Sequence, residues 1–250
     1  MVNVAYRKLN KDSSLTSNLA IISGASAGIG AKTATLFTDQ GYRCINLSRR
    51  PCPDERVENW LTDFSDPQAV ASTAQGLAHE LSQQASRVCL VHNAALMLKD
   101  RCDSTADADL HRVLQVNVAA INTLNGALLP HLSSGSSVLY IGSTLAEKAV
   151  AGAFSYVVSK HAQTGMMRAT CQDLMGRGVH TAMICPGFTD TEMLRAHLGH
   201  DPTIVEAISS QNSFGRLVNP TEIADMIWWA HQSPVINGAI LHGNLGQIEH

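Results

Sequence analysis

The chain is poor in charge, and the charge it has is not gathered anywhere. Charged residues make up 16% of its 250 positions and the net charge is −3. Binding nucleic acid through its phosphates needs a concentrated positive face, so that class of partner is excluded. No apolar run approaches the ~18 residues that suggest a membrane span, so no membrane partner is expected. The opening stretch MVNVAYRKLNKDSSLTSN has no apolar core of the secretory kind. Residues 1–17 read as a polar extension, and a cytoplasmic location is the expectation. The six cysteines, Cys44, Cys52, Cys89, Cys102, Cys171 and Cys185, include no C-x-x-C pair, which argues against a disulfide framework. Cys44, Cys89 and Cys185 fall in expected strands, as small apolar residues. The eleven histidines lack ligand spacing apart from His197 and His200, which read as solvated or capping, so no metal site is expected. Internal repeats, low-complexity tracts and Pro- or Ser-rich linkers are missing as well, which leaves one domain over residues 18–250.

What is present is a regular alternation. Hydrophobic residues make up 45% of the chain, enough for one large core. Strands are expected at 19–23, 43–47, 57–61, 88–92, 137–141, 180–185 and 239–242. Several are almost continuously apolar, as suits parallel strands covered on both faces. Helices are expected at 29–39, 67–83, 107–129, 154–175 and 220–230. The last opens with Asn219 as cap and Pro220 at the first helical position. The helix at 154–175 runs into Gly176, which can take a left-handed cap. Strands alternating with helices imply right-handed crossovers. The fold class is therefore α/β, a doubly wound parallel sheet of about seven strands with helices on both faces.

The first strand ends in Ser23-Gly24-Ala25-Ser26-Ala27-Gly28-Ile29-Gly30. Glycines let backbone turn tightly and approach a pyrophosphate, and the following helix offers free N–H groups and a partial positive charge. The spacing is G-x-x-x-G-x-G, with strand before and helix after, which is the context such a motif requires. A plain strand-to-helix turn is the alternative.

Further motifs follow in a fixed order. They are Asp63 after the third strand, His92-Asn93-Ala94-Ala95 after the fourth, Asn117 in the next helix, Ser143, Tyr156-Val-Val-Ser-Lys160 and Pro186-Gly187-Phe188-Thr189-Asp190-Thr191. Together with the glycine turn they give the chain its resemblance to the short-chain dehydrogenase/reductase family, in its single-domain branch with a Rossmann-like fold. The stretch after Pro186 and the Arg216…Pro220-Thr221-Glu222 segment look most like 3-oxoacyl-carrier-protein reductases and their relatives. Ser23 stands where the family usually has threonine, Ala95 where it has glycine, and Asn244-Leu245-Gly246 where it has Asp-Gly-Gly.

The resemblance implies a nicotinamide cofactor and a small-molecule carbonyl or alcohol substrate. A ketone receiving a hydride develops negative charge on oxygen, and an acid must supply a proton. Tyr156 is that acid, and a base in the reverse direction. A lysine four residues on shares its helix face and is expected to lower its pKa. Ser143, at the carboxyl end of a strand, would hold the carbonyl. By resemblance Lys160 also binds the nicotinamide ribose, and Asn117 holds a water that links the lysine to solvent. The family pattern further implies cofactor contacts from Gly24, Ser26, Gly28, Ile29 and Gly30, from Asp63 and Phe64 at the adenine, from Asn93 and Ala94, from Tyr156 itself, and from Pro186, Gly187, Thr189 and Thr191. Asp66 or Ser65 would cap the helix after Asp63.

The second strand ends Asn46-Leu47-Ser48-Arg49-Arg50. NAD enzymes commonly place an acid there for the ribose hydroxyls. Ser48 is neutral, and the guanidinium groups of Arg49 and Arg50 suit a phosphate. NADP(H) is favoured, with NAD(H) as the alternative. Residues 188–214 read as a lid whose apolar members include Phe188 and Met193. With Leu145, Ser143 and Tyr156 these make up the expected substrate contacts, while Glu147 and Lys148 could line the entrance. The resemblance implies a homotetramer or homodimer. Two rival readings are a cofactor sensor without turnover and a nucleotide-sugar epimerase. The intact Ser143, Tyr156 and Lys160 argue against the first, and the little chain after Pro186 argues against the second.

Overall fold

The computed structural model describes residues 18–83, 87–199 and 202–248. The expected extension at 1–17 lies outside the described residues, as does His200. The strands are β1 (Leu19–Ser23), β2 (Arg43–Ser48), β3 (Glu58–Leu61), β4 (Val88–His92), β5 (Ser137–Ile141), β6 (His180–Pro186) and β7 (Ala239–Gly243). They form one parallel sheet in the order β3-β2-β1-β4-β5-β6-β7. The order reverses between β1 and β4, and open α/β sheets bind ligands in the crevice beyond the carboxyl ends at such a point.

The central strands are apolar on both sides because both sides are covered. Leu19 and Ile21 of β1 face one core cluster while Ala20 and Ile22 face the other. The first cluster takes in α2 (Pro67–Ser82), α4 (Ala120–Leu128) and part of α5 (Phe154–Asp173). The second packs α1 (Gly28–Asp39) and α8 (Pro220–Gln232). The outermost β3 departs from the expectation of two covered faces: its residues are mostly exposed, Leu61 among them. The caps follow the sequence. Asp66 accepts from Gln68 N at 2.8 Å at the head of α2, and Asn219 with Glu222 closes a capping box at the head of α8.

Two segments differ from expectation. The helix expected at 107–129 is interrupted: α3 (Asp107–Leu114) passes into a π-helical turn at Gln115–Ala119, then α4, then a short 3-10 turn. The π turn carries Asn117. Its side chain accepts from Leu96 N at 2.7 Å and donates to Leu96 O and to Ser159 Oγ, both at 2.9 Å. Long-range bonds of this kind hold a wider turn that local propensity would close, and π turns gather at functional sites. The segment 188–214 holds two short helices, α6 (Glu192–Leu198) and α7 (Pro202–Ser209), that the sequence pattern did not reveal.

Buried histidines give the fold an acid sensitivity. His231 lies between Ser137 Oγ at 2.6 Å and Tyr42 OH at 2.9 Å, and burial pushes its pKa down to about 3. His92 bonds Asn125 at 2.8 Å, its Nδ1 has no partner, and burial pushes it down to about 4. An unfolded histidine titrates near ~6.5. Between the folded and unfolded values the unfolded chain binds more protons, so stability is complete above about pH 6.5 and falls as pH drops toward 4. Each histidine adds a slope of up to ~1.4 kcal/mol per pH unit. Urea midpoints measured from pH 7.5 down to 4.5 should therefore decline below pH 6.5, and a flat series would contradict this account.

Candidate active site

The glycine turn at the end of β1 is tied down on three sides. Ser23 Oγ accepts from Asn93 N at 2.9 Å and Ala94 N at 3.0 Å, which ties the end of β1 to the loop after β4. Asn93 Nδ2 donates to Ser23 O at 2.9 Å and Gly24 O at 3.1 Å. Asn46, buried in β2, accepts from Ala25 N at 3.0 Å and donates to Arg50 O at 3.1 Å, joining the glycine turn to the loop after β2. Sequence reasoning missed this asparagine; a polar residue inside an otherwise apolar strand was the signal. Gly24 has φ +73, where a side chain is strained, and a Cβ there would stand 2.9 Å from Ala94 Cα. A Cβ on Gly30 would overlap the Gly24 carbonyl oxygen and stand 2.6 Å from Asn93 Nδ2.

The N-cap residue of α1, Ala27, makes no side-chain cap bond, and no acid lies in the first turn. The head of α1 therefore presents uncapped N–H groups beside backbone that only glycine permits, and these donors fit a pyrophosphate. Gly30→Ala should reduce NADPH affinity at least tenfold and destabilise the fold by ~1–3 kcal/mol, the usual cost of overpacking. Fluorescence titration with NADPH and a urea melt check this; wild-type affinity in the variant would show that the turn binds no phosphate.

The remaining candidates surround this turn at the carboxyl edge. A Cβ on Gly28 would stand 3.0 Å from Thr191 Cγ2, so Thr191 lies against the turn while its hydroxyl caps α6. Thr189 Oγ1 donates to Gly187 O at 3.0 Å, and Pro186 pairs with Gly243. A cleft of about 470 Å³ between the turn and α6 is lined by Ser26, Gly28, Lys32, Thr191, Glu192 and Arg195, among others. Ser48 donates to Arg50 O at 2.6 Å. Arg49 is exposed near Asp63, and Arg50 reaches Glu192 at 3.1 Å. Asp63 accepts from Ser65 N and Oγ, which hold its carboxyl below the usual range. The Phe64 ring is buried in the core, so only its backbone is left for a ligand.

Ser143, Tyr156 and Lys160 come together beyond β5. Ser143 follows the strand and caps a short 3-10 turn, its Oγ accepting from Leu145 N at 3.1 Å. Tyr156 and Lys160 lie one turn apart on α5, with Lys160 Nζ 5.4 Å from the centre of the Tyr156 ring. Leu145, Ala95 and Met97 pack around the tyrosine. Phe188 is half-buried and Met193 exposed on α6. Glu147 pairs with His242 at 2.9 Å.

The electrostatics correct one expectation. The lysine was expected to lower the phenol pKa; instead burial raises it well above its ordinary value, with a hydrogen bond from Ser143 pulling the other way. Tyr156 is 8% exposed and Lys160 only 2%. Desolvation disfavours both charged forms, and it pushes Lys160 down to about 8. A neutral phenol is the form that donates a proton.

Lys160 Nζ donates to Ile141 O at 2.7 Å and to Gln163 Oε1 at 3.0 Å, while Gln163 Nε2 donates to Asn117 O at 2.6 Å. Sequence reasoning also missed Gln163, whose signal was its place three residues beyond Lys160 on the same helix face. Among the described residues no group of three or more His, Cys, Asp or Glu could hold a metal ion, and no helix is long and apolar enough to cross a membrane.

A family model described as enoyl-(acyl carrier protein) reductase, of the short-chain dehydrogenase/reductase kind, matches residues 24–247. The chain belongs to the short-chain dehydrogenase/reductase family. It is an NAD(P)-dependent oxidoreductase. Among curated relatives it is similar to a rhamnolipid-biosynthesis 3-oxoacyl-[acyl-carrier-protein] reductase of Pseudomonas aeruginosa, 29% identical over 94% of this chain and 96% of the relative. It is also similar to sulfoacetaldehyde reductase 2 of Chromohalobacter salexigens, 27% identical over 93% of each. Among solved structures, a short-chain dehydrogenase of Burkholderia cenocepacia in complex with NADP superposes with a TM-score of 0.80 at 26% identity, covering 92% of this chain and 97% of that one. The ligand-free aldohexose dehydrogenase of Thermoplasma acidophilum has the same fold, with a TM-score of 0.84 at 24% identity over 92% and 93% of the two chains.

Proposed function

We propose that the protein reduces a carbonyl to a secondary alcohol, and runs the reverse, with NADP(H) as its cofactor. The observation that carries this reading is the meeting of Ser143, Tyr156 and Lys160 in a buried corner beside the glycine turn. The cofactor, when bound, supplies the hydride to the carbonyl carbon or removes it. The chain does the rest. The turn from Gly24 to Gly30, with Ser26 and Ile29, holds the pyrophosphate. Arg49 and Arg50, beside the strand end that Ser48 leaves neutral, hold the adenosine phosphate, and Asp63 with the Phe64 backbone holds the adenine. Asn93 and Ala94 support the cleft floor, and Pro186, Gly187, Thr189 and Thr191 hold the nicotinamide end. Solved relatives carrying NADP, such as the Burkholderia enzyme, support this choice of cofactor.

Ser143 fixes the substrate carbonyl, and Tyr156, kept neutral by burial, gives its proton to the developing alkoxide. Two of the three N–H donors of Lys160 are committed to Ile141 and Gln163, which leaves one for the cofactor ribose. Leu145, Phe188 and Met193 make the substrate wall apolar, and residues 188–214 serve as its lid.

The test is NADPH consumption against a panel of simple ketones, 3-oxoacyl thioesters, quinones and steroid-like ketones. Turnover of at least one class is expected. A protein that binds NADPH and reduces none of them is a cofactor sensor, and the reading fails.

A further inference from the structure

The face of α5 that meets the sheet is unusually polar: Ser155, Tyr156, Ser159, Lys160, Gln163 and Thr164 are all buried. Tyr156 and Lys160 are assigned above, and Ser159 bonds Asn117 and the Tyr156 carbonyl. Gln163 is 1% exposed, yet burying an amide is costly unless it is bonded. Both ends of this amide are bonded, and to groups of opposite kind. The oxygen takes a proton of the Lys160 ammonium at 3.0 Å and the nitrogen gives one to the Asn117 carbonyl at 2.6 Å. Only this orientation works, because a flipped amide would set N–H against ammonium and oxygen against oxygen.

We propose that Gln163 is the positioning residue of the active-site lysine: its amide clamps the Lys160 ammonium to the carbonyl of the π-helical turn and fixes both the place of the lysine and its charge. The proposal rests on the roles given above to Tyr156 and Lys160. The groups that face Lys160 are the Tyr156 phenol on its own helix, the Cys185 thiol on β6 and the Ile141 carbonyl on β5. Burial raises the thiol to about 11, so it is neutral at working pH. The amide oxygen and the Ile141 carbonyl are then the two acceptors that offset the desolvation of a lysine already held near 8. Without the amide the ammonium loses one of its two acceptors, and the Asn117 carbonyl loses its donor.

The test follows Lys160 directly in the cofactor-free protein, by NMR of selectively ¹³Cε-labelled lysine, with Lys160→Arg deleting the signal to assign it. Gln163→Met keeps the length of the side chain and removes the acceptor. It should lower the Lys160 midpoint by about one to two pH units, the worth of one charge-assisted hydrogen bond. Gln163→Glu adds a negative charge and should raise the midpoint. The alkaline limb of kcat/KM for reduction should move in the same two directions. Midpoints within about 0.3 units of wild type in both variants would make Gln163 a packing residue and overturn the proposal. If the methionine variant does not fold, the glutamate variant alone decides, by an upward shift or none. The titration needs no turnover. A protein that reduces no carbonyl would sink the functional reading while leaving this result to stand or fall by itself.

Discussion

Tyr156→Phe is expected to bind NADPH about as well as the wild type and to reduce carbonyls some 10²- to 10⁴-fold more slowly, the range that general acid catalysis supplies. The ring is buried in a cluster with Leu145 and Ala153, and phenylalanine fills the same space, so the fold and the cofactor cleft should not change. What disappears is the one hydroxyl that faces Ser143 from the helix. The loss should appear in kcat and in kcat/KM together, because the proton is needed only as charge develops on the oxygen. Absorbance at 340 nm gives the rate and NADPH fluorescence gives the affinity. Retention of most of the activity would remove Tyr156 from the mechanism, and a rate loss matched by lost NADPH binding would make it a cofactor ligand instead.

Arg49→Ala should weaken NADPH by roughly 10- to 150-fold and leave NADH almost unchanged. A charged hydrogen bond is worth ~1.5–3 kcal/mol, which sets that range. The end of β2 explains why the effect should be selective. Ser48 spends its hydroxyl on the Arg50 carbonyl, and Asn46 grips the same carbonyl, so the strand end is held through backbone and carries no carboxylate of its own. Arg50 already reaches Glu192, whereas Arg49 is exposed near Asp63. Arg49 is therefore the more available guanidinium, and Arg50→Ala should have the smaller effect. Dissociation constants for both cofactors, in both variants, check this. Equal losses for NADPH and NADH, or equal use of both by the wild type, would show that no adenosine-phosphate site is formed here.

Sequence alone carried far where causes are local. Strand β1 is legible because Leu19-Ala20-Ile21-Ile22 is an unbroken apolar run, the signal of a strand covered on two sides. The glycines of the first turn are legible because their spacing is itself the chemistry, and Tyr156 and Lys160 because four residues make one helical turn. Other features have distant causes. Asn117 is turned by Leu96, 21 residues away, and by Ser159, 42 away, so nothing near it announces a π-helical turn. Gln163 gains meaning only when Asn117 arrives opposite it from another element. The sign of the Tyr156 shift depends on how deeply α5 is buried, a property of the packed whole; a reading based on the neighbouring lysine alone chose the wrong direction. The short α6 and α7 lie in a stretch whose apolar residues read only as a lid.

The π-helical turn also sets how the chain can tolerate changes of length. A π turn holds one residue more than the α-helical turn it replaces. Deleting one residue among 115–119 would let the helix close into regular α form with α3 and α4 keeping their faces, whereas a deletion within either regular helix would swing one side by ~100° about the axis relative to the other. In the first case the wide turn from which the Asn117 side chain reaches Leu96 and Ser159 would be gone. The extra residue serves the seat of Asn117 and not the packing of the helices on either side. A deletion scan along 107–128 should keep folded protein best at 115–119, with the loss there falling on the site around Asn117.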